Sequence, residues 1–314
     1  MEIIELHAIN LKMGMGNNEV LEFLVSFLSP NTRKAYKRDL ALFSFFLQKK
    51  YPQTLMKEAS TIQLAIFREY LLKSYSARTA RRVLDSLGSY YQFLKRKKVI
   101  ALSPMDEIDR PKCSKEILTP DVTNQEVLSM LNAVDLTKQS GPLHRAVLSL
   151  FFYTGLRCEE VRMLKIENIH VIHGQLAMVF RGKGDKERIV PMPPPLQKDL
   201  GRYLKKRSEL GTALNSSSPL FCSSTGKEEP LSPRAFSYIV KNYAIKANIS
   251  ETISVHSTRA TFIGASLDAG IPLDKVADLV GHQDVNLTRR YSKRRNVLNT
   301  FDKLPDLYQP EEKM

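Results

Sequence analysis

The amino-acid sequence predicts a two-domain protein that is mainly α-helical, with a small antiparallel β-sheet in its C-terminal domain, an α+β arrangement. The chain has 314 residues, enough to bury two apolar cores of ordinary size. Apolar residues recur at helical spacing along most of it, and the periodicity fails in one stretch rich in Pro and Lys, which is typical of an exposed linker. We therefore expect a helical domain at 1–107, a linker at 108–121, a second domain at 122–300 and a C-terminal tail at 301–314.

The first domain is expected to contain four helices. From Glu19 to Lys50 the helical spacing is interrupted once, at residues 29–32, where the sequence Ser-Pro-Asn-Thr ends one helix and caps the next. A second pair of helices is predicted over 60–72 and 77–97, because Ser76 is available as an N-cap before a regular apolar stripe.

The second domain is also predicted to be mostly helical. Thr123 and Glu126 form a capping-box pattern before one apolar helix, and another over 143–153 ends near Gly155. Two short strands, 176–180 and 188–190, flank a Gly-Lys-Gly turn and predict a β-hairpin with Lys183 at its tip. Four more helices are expected near 195–209, 233–246, 256–269 and 273–280.

The charge balance favours a polyanionic partner. The chain carries 47 basic and 33 acidic residues, a net charge of +14, so nucleic acid is the first candidate. The three cysteines form no CxxC pair, which argues against a disulfide framework and against a zinc site. Glu2 and Glu5 stand where a secretory signal would be basic, and no apolar run approaches the ~18 residues of a membrane span. We therefore expect a soluble, cytoplasmic protein without a membrane partner.

Five elements of the second domain carry the functional interpretation. They follow one another in the order Thr154-Gly155-Leu156-Arg157, Lys183, His256-Ser257-Thr258-Arg259, Gly281-His282 and Tyr291. This order resembles the signature of the tyrosine recombinase (phage integrase) family. The four-helix first domain resembles that family's SAM-like core-binding domain. The resemblance thus implies a two-domain clamp around DNA.

The resemblance also implies a set of site residues. The six catalytic positions would be Arg157, Lys183, His256, Arg259, His282 and Tyr291. Glu160, three residues after the first arginine, would help to hold that arginine.

These residue types suit phosphoryl transfer. Guanidinium groups stabilise the negative charge that develops at an attacked phosphodiester, and His256 and Arg259, at i and i+3, share one helix face. Tyr291 would be the nucleophile and Lys183 the general acid, while His256 accepts or orients the tyrosine proton and His282 binds a phosphate oxygen. A 3′-phosphotyrosine keeps the phosphodiester energy, so neither ATP nor a metal is required and we expect no cofactor.

Basic residues near two predicted helix starts of the first domain are candidates for DNA binding. They are Arg33, Lys34, Lys37, Arg38, Arg78, Thr79, Arg81 and Arg82. The alternative is a solvated basic face.

The implied partner is double-stranded DNA with paired recombination sites, bound by a homo- or hetero-tetramer. The chain resembles Xer-like and simple integrase members of the family.

Three alternatives stay open at this point. The same chemical centre serves type IB topoisomerases and telomere resolvases, and a non-catalytic DNA-binding relative could keep the fold. Each motif alone has a simpler interpretation, for example Thr-Gly-Leu-Arg as a helix stop beside a surface arginine. The biological role, whether dimer resolution, integration, excision or inversion, is not encoded in a motif. For the tail, the spacing at 301–308 predicts an apolar stripe, and the resemblance to the family implies that this segment is passed to a neighbouring subunit. The alternative is a tail that packs on its own domain or is disordered.

Overall fold

The computed structural model describes residues 18–113, 119–181, 187–212, 214–222, 229–282, 284–289 and 291. The chain divides into two compact units, Met1–Ile117 and Leu118–Met314. The described part is mostly helical with one small antiparallel sheet, which confirms the predicted fold class. Within it, no helix combines the length and the apolar character needed to cross a membrane.

Serine side chains start most of the helices of the first unit. Its described α-helices are α1 Asn18–Val25, α2 Pro30–Lys50, α3 Thr61–Ser74 and α4 Ala77–Arg96. The hydroxyl groups of Ser29, Ser60 and Ser76 each accept a hydrogen bond from the backbone N–H three residues later, at the starts of α2, α3 and α4. These caps explain why the predicted starts of the helices agree closely with the observed ones.

Aromatic rings form the core of the first unit. Phe23, Phe43, Phe67, Tyr90 and Tyr91 are all fully buried or nearly so. The rings of Phe23 and Tyr90 meet edge to face with centroids 5.5 Å apart, and those of Phe43 and Phe67 lie 4.8 Å apart. Burial of a ring of this size contributes ~1.5–3 kcal/mol, so this core fixes how α1 to α4 pack.

One buried helix lies at the centre of the second unit. The described helices are α5 Asn124–Asn132, α6 Gly141–Thr154, α7 Cys158–Met163, α8 Pro194–Glu209, α9 Pro233–Lys246, α10 Val255–Asp268 and α11 Leu273–Val280. Helix α6 is buried along most of its length and packs against α8, α9 and α10. The prediction missed α7, because a helix of six residues is too short to show an apolar period.

The sheet of the second unit has three antiparallel strands in the order β1-β2-β3. They are β1 Ile169–Ile172, β2 Gln175–Arg181 and β3 Glu187–Pro191. The predicted hairpin strands correspond to β2 and β3, whereas β1 was not predicted. Its four residues are half-buried or exposed, so they lack the alternation that identifies a strand. The predicted hairpin tip, 182–185, lies outside the described residues.

Candidate active site

Two helices of the second unit end at glycines in the left-handed conformation. Gly155 ends α6 with φ 59°, and Gly281 ends α11 with φ 66°, a region that a residue with a Cβ enters only at a cost. Space is also restricted there, because a Cβ at 155 would lie 2.5 Å from Phe262 Cδ1 and one at 281 would overlap the Arg188 guanidinium. The carbonyl groups at these two helix ends accept hydrogen bonds from arginine side chains.

The first of these arginines, Arg259 of α10, is almost fully buried, with 2% of its surface exposed. Its Nη1 donates to the Gly155 carbonyl at 2.7 Å, and its Nη2 donates to the Val280 carbonyl at 2.6 Å. Burial, followed by the charge of Arg157, lowers the pKa of Arg259 to about 10, so the group stays protonated at neutral pH. Two helix C-termini, where the helix dipole favours a cation, thus hold this buried charge.

The second arginine, Arg157, is the N-cap residue of α7, and 47% of its side chain is exposed. Its Nη1 donates to Glu160 Oε1 at 3.0 Å, and its Nη2 donates to the Gly281 carbonyl at 3.1 Å. Its backbone N–H donates to Glu160 Oε2 at 2.7 Å. Glu160 therefore contacts both the backbone and the side chain of the arginine that it is predicted to hold.

A third arginine, Arg188 of β3, was not predicted to belong to the site. Its Nη2 lies 3.2 Å from Glu160 Oε2, and its guanidinium carbon lies 5.0 Å from the centroid of the Phe180 ring. A sequence signal for it did exist. Side chains alternate between the faces of a strand, so Arg188 shares a face with the buried Val190 and points inward.

Two histidines lie among these charges. His256, at the start of α10, is only partly exposed, and His282, just after α11, is half-buried. Burial first, and then the charges of Arg259 and Arg157, lower the pKa of both rings, that of His282 to about 4. Both imidazoles are therefore uncharged at neutral pH. The Nδ1 atom of His282 lies 2.8 Å from Oγ1 of the fully buried Thr288.

Tyr291 packs beside the buried arginine. Its half-buried ring contacts an apolar cluster built from Ile263 of α10 and from Val276 and Val280 of α11. A negative charge on its oxygen would raise the pKa of Arg259, which indicates that the two groups are close. Lys183, by contrast, lies outside the described residues, and its place in the site stays a prediction.

The structure brings five of the six predicted catalytic residues into one region. These are Arg157, His256, Arg259, His282 and Tyr291. Each guanidinium has five N–H donors, and the hydrogen bonds described above involve both Nη atoms of Arg157 and both of Arg259. The region thus combines fixed positive charge, two uncharged imidazoles that can accept a proton, and a phenol. This set of groups suits attack on a phosphodiester.

The eight predicted DNA-binding residues lie in the first halves of α2 and α4, and they differ in their surroundings. Lys34, Arg38, Arg78 and Arg81 are exposed, whereas Arg33, Lys37, Thr79 and Arg82 are half-buried. Three of the half-buried side chains have partners inside the unit, namely those of Arg33, Thr79 and Arg82. Arg33 Nη2 donates to the Leu28 carbonyl at 3.2 Å, and the Thr79 hydroxyl accepts a hydrogen bond from Ser76 at 3.1 Å.

Arg82 forms an ion pair with Asp39 of α2, which is only 1% exposed. The same carboxylate accepts a hydrogen bond from Ser86 at 2.8 Å, while Tyr36 of α2 donates to Ser89 at 3.4 Å. Across these two contacts, the residue with the lower number in α2 meets the residue with the higher number in α4. The two helices therefore run antiparallel. Their N-terminal basic turns therefore lie toward opposite ends of the helix pair.

Comparison with known proteins gives consistent results for both parts of the chain. The phage integrase family matches residues 120–296, and the N-terminal SAM-like domain of phage integrases matches residues 23–98. Tyrosine recombinase XerD of Staphylococcus aureus is 33% identical over 284 residues, which cover 87% of this chain and 93% of the relative. XerD of Staphylococcus haemolyticus is 32% identical over 268 residues, covering 84% and 88% of the two chains.

Solved structures show the same fold. The XerH site-specific recombinase in a post-cleavage complex with a palindromic difH substrate aligns with a TM-score of 0.73 at 19% identity, covering 88% of this chain and 80% of that one. A lambda integrase tetramer bound to a Holliday junction aligns with a TM-score of 0.66 at 15% identity, covering 87% and 76%. From the family matches and the identity to XerD, the chain belongs to the phage integrase family and is a tyrosine recombinase, a DNA strand transferase.

Proposed function

We propose that this recombinase cleaves and rejoins DNA at specific sites through a covalent 3′-phosphotyrosine on Tyr291. One observation carries the proposal: the guanidinium groups of Arg157 and Arg259 are held at the ends of α6 and α11, close to the tyrosine that packs on α10 and α11. Fixed cations beside a phenol form a site for a phosphodiester that the phenol can attack.

In the cleavage step, the Tyr291 oxygen attacks phosphorus, an O–P bond forms and the bond from phosphorus to the 5′ oxygen breaks. His256 accepts the phenolic proton, a role supported by its lowered pKa, which leaves the ring uncharged at neutral pH. Lys183 would donate a proton to the departing 5′ oxygen. Attack by the 5′ hydroxyl of another strand reverses these steps and releases the tyrosine, so that no external energy source is needed.

The arginines act on the phosphate between these two oxygens. Arg259 has its two Nη atoms fixed by carbonyl groups, so its position does not depend on bound DNA. Because these partners are neutral carbonyls, they leave the positive charge intact for the non-bridging oxygens. The uncharged His282 adds a hydrogen bond to the same phosphate, with its Nδ1 side occupied by Thr288. Preorganised donors of this kind stabilise the transition state because they need not reorganise during the reaction.

The first unit would bind the DNA duplex. The exposed Lys34, Arg38, Arg78 and Arg81 are the best placed of the predicted residues to reach phosphates. Arg82 supports α2 and α4 instead, because its charge compensates the buried Asp39. The partner would be double-stranded DNA in the cytoplasm, with two sites joined by a tetramer of this chain, alone or with a related subunit.

The test is covalent trapping. Wild-type protein is incubated with genomic fragments, covalent complexes are isolated, and the attached DNA is sequenced to find the site. A nicked version of that site then serves as a suicide substrate. We expect a 3′ adduct with wild type and with the control Tyr238→Phe, whose tyrosine is 65% exposed on α9, but no adduct with Tyr291→Phe.

Loss of the adduct must reflect chemistry rather than folding. Tyr291→Phe removes only the attacking hydroxyl group, so it should bind the site with an affinity close to that of wild type. An adduct formed by the Phe variant would show that another residue is the nucleophile, and no adduct from wild type on any fragment would contradict the proposed function.

A further inference from the structure

Arg188 pairs with the carboxylate that holds the Arg157 side chain, and it lies against the glycine whose carbonyl is the other anchor. The two anchors of that side chain are Glu160 Oε1 and the Gly281 carbonyl. Arg188 Nη2 lies 3.2 Å from the other oxygen of Glu160, and Arg188 Nη1 lies so close to Gly281 that a Cβ there would overlap it. One guanidinium fork thus bridges the start of α7 and the end of α11, which are separated by more than a hundred residues in sequence.

The position of Arg188 is itself well determined. Only 16% of its side chain is exposed, and its backbone pairs directly with Phe180 across β2 and β3. The guanidinium also lies over the ring of that cross-strand partner. Such an arginine loses little entropy when it makes a contact, because packing already restricts its rotamers.

The Glu160 carboxylate lies between two cations. Its Oε2 accepts from the Arg157 backbone and faces Arg188, while its Oε1 accepts from the Arg157 guanidinium. Burial raises the pKa of Glu160, but the Arg157 backbone bond and the charges of Arg188 and Arg157 outweigh it, so the pKa is lowered overall. Arg188 therefore helps to keep this carboxylate ionised and in place beneath Arg157.

We propose that Arg188 is a positioning residue that fixes the Arg157 guanidinium for phosphate binding by holding Glu160 and the Gly281 turn together. This inference rests on the proposed function, in which Arg157 binds the phosphate. It requires the fork of an arginine, because the Nη1 and Nη2 atoms reach different groups. A lysine would keep the charge but could not reach both groups at once.

The experiment compares Arg188→Lys and Arg188→Met with wild type. The matched control is Arg162→Met, since Arg162 also pairs with a glutamate of α7, Glu159, at 2.8 Å, and this pair includes no predicted site residue. Adduct formation on the suicide substrate is measured in a single turnover, DNA affinity by titration, and helix content by circular dichroism. Both Arg188 variants should cleave ~10–100-fold more slowly, as expected for a misplaced binding group. Their DNA affinity should change less than about threefold, and the control should resemble wild type.

A double-mutant cycle tests whether the effect of Arg188 on cleavage depends on Arg157. If Arg188 acts through Arg157, then Arg188→Lys should cost little additional rate in an Arg157→Lys background, because the positioned group is already lost. Additive losses would overturn the inference, as would full activity of Arg188→Lys, which would show that charge alone suffices. Should Arg188→Met not fold, the Lys variant and its cycle still decide. Failure of wild type to form any adduct would instead refute the proposed function.

Discussion

Replacing Gly155 with alanine should destabilise the second unit and displace the buried Arg259. The left-handed conformation costs a residue with a Cβ ~1–2 kcal/mol. The new methyl group would also lie 2.5 Å from Phe262 Cδ1, and relieving such an overlap in a packed region costs ~1–3 kcal/mol. We therefore expect the free energy of unfolding to fall by ~2–5 kcal/mol, a large fraction of the ~5–15 kcal/mol that is typical of a domain.

The same substitution at Gly201 is the control. This glycine is exposed within α8, and a Cβ there would meet nothing within 4 Å. Alanine should therefore stabilise α8 by ~0.5–1 kcal/mol through helix propensity alone. The two Gly→Ala changes thus have opposite predicted signs within one structural unit.

The assay is hydrogen exchange in increasing urea, followed on peptides of α6 and α8 in the full-length protein. These peptides report on the unit that carries both changes. Because the Gly155 carbonyl holds Arg259 Nη1, cleavage by the Gly155 variant should also slow by ~10–100-fold under conditions where it remains folded. Equal effects of the two substitutions on unfolding, or unchanged cleavage by the Gly155 variant, would refute the reasoning.

Three further predictions concern the proton-handling groups. Thr288→Val should slow adduct formation by about 2- to 10-fold, the worth of one hydrogen bond to His282, whereas Thr288→Ser should restore the rate, and ring ¹⁵N shifts would show the change in tautomer. His256 and His282 have lowered pKa values in the fold, so both contribute fully to stability above about pH 6.5 and lose that contribution as the pH falls, His282 as it approaches about 4; urea midpoints should decline with falling pH, and a flat profile would contradict the assignment. Lys183→Ala should slow cleavage by ~10²–10⁴, and a substrate with sulfur at the 5′ bridging position should recover most of the rate, whereas equal losses on both substrates would mean that the lysine only binds phosphate.

Local signals made much of the fold predictable. Ser29, Ser60 and Ser76 mark helix starts, and Gly155 marks a helix end, because each of these features depends on neighbours within a few residues. The elements that the prediction missed, α7 and β1, are short. They have six and four residues, which are too few to show a period. The hairpin strands β2 and β3 were predicted, whereas β1 was identified only by its pairing with β2 in the structure.

The residues of the site likewise fall into those that local motifs predicted and those that only the folded structure brings together. The order of motifs pointed to Arg157, Arg259 and Tyr291, and the structure brings them together. Arg188 and Thr288 were missed, since their contacts join residues that no local pattern relates. Local patterns were also insufficient for the basic residues of the first unit. The sequence does not indicate that Asp39 is buried and forms an ion pair with Arg82.

The burial of Arg259 has a consequence for the effect of ionic strength. At 0.1 M salt, mobile ions screen exposed charges over about 10 Å. They screen the charge of Arg259 much less, because only 2% of this residue is exposed. If the exposed lysines and arginines of α2 and α4 bind DNA phosphates as proposed, cations compete with them for DNA, and association should weaken steeply as salt is added. The chemical step on bound DNA should hardly respond. A recombinase of this design could therefore be released from its site by salt while retaining its cleavage rate once bound.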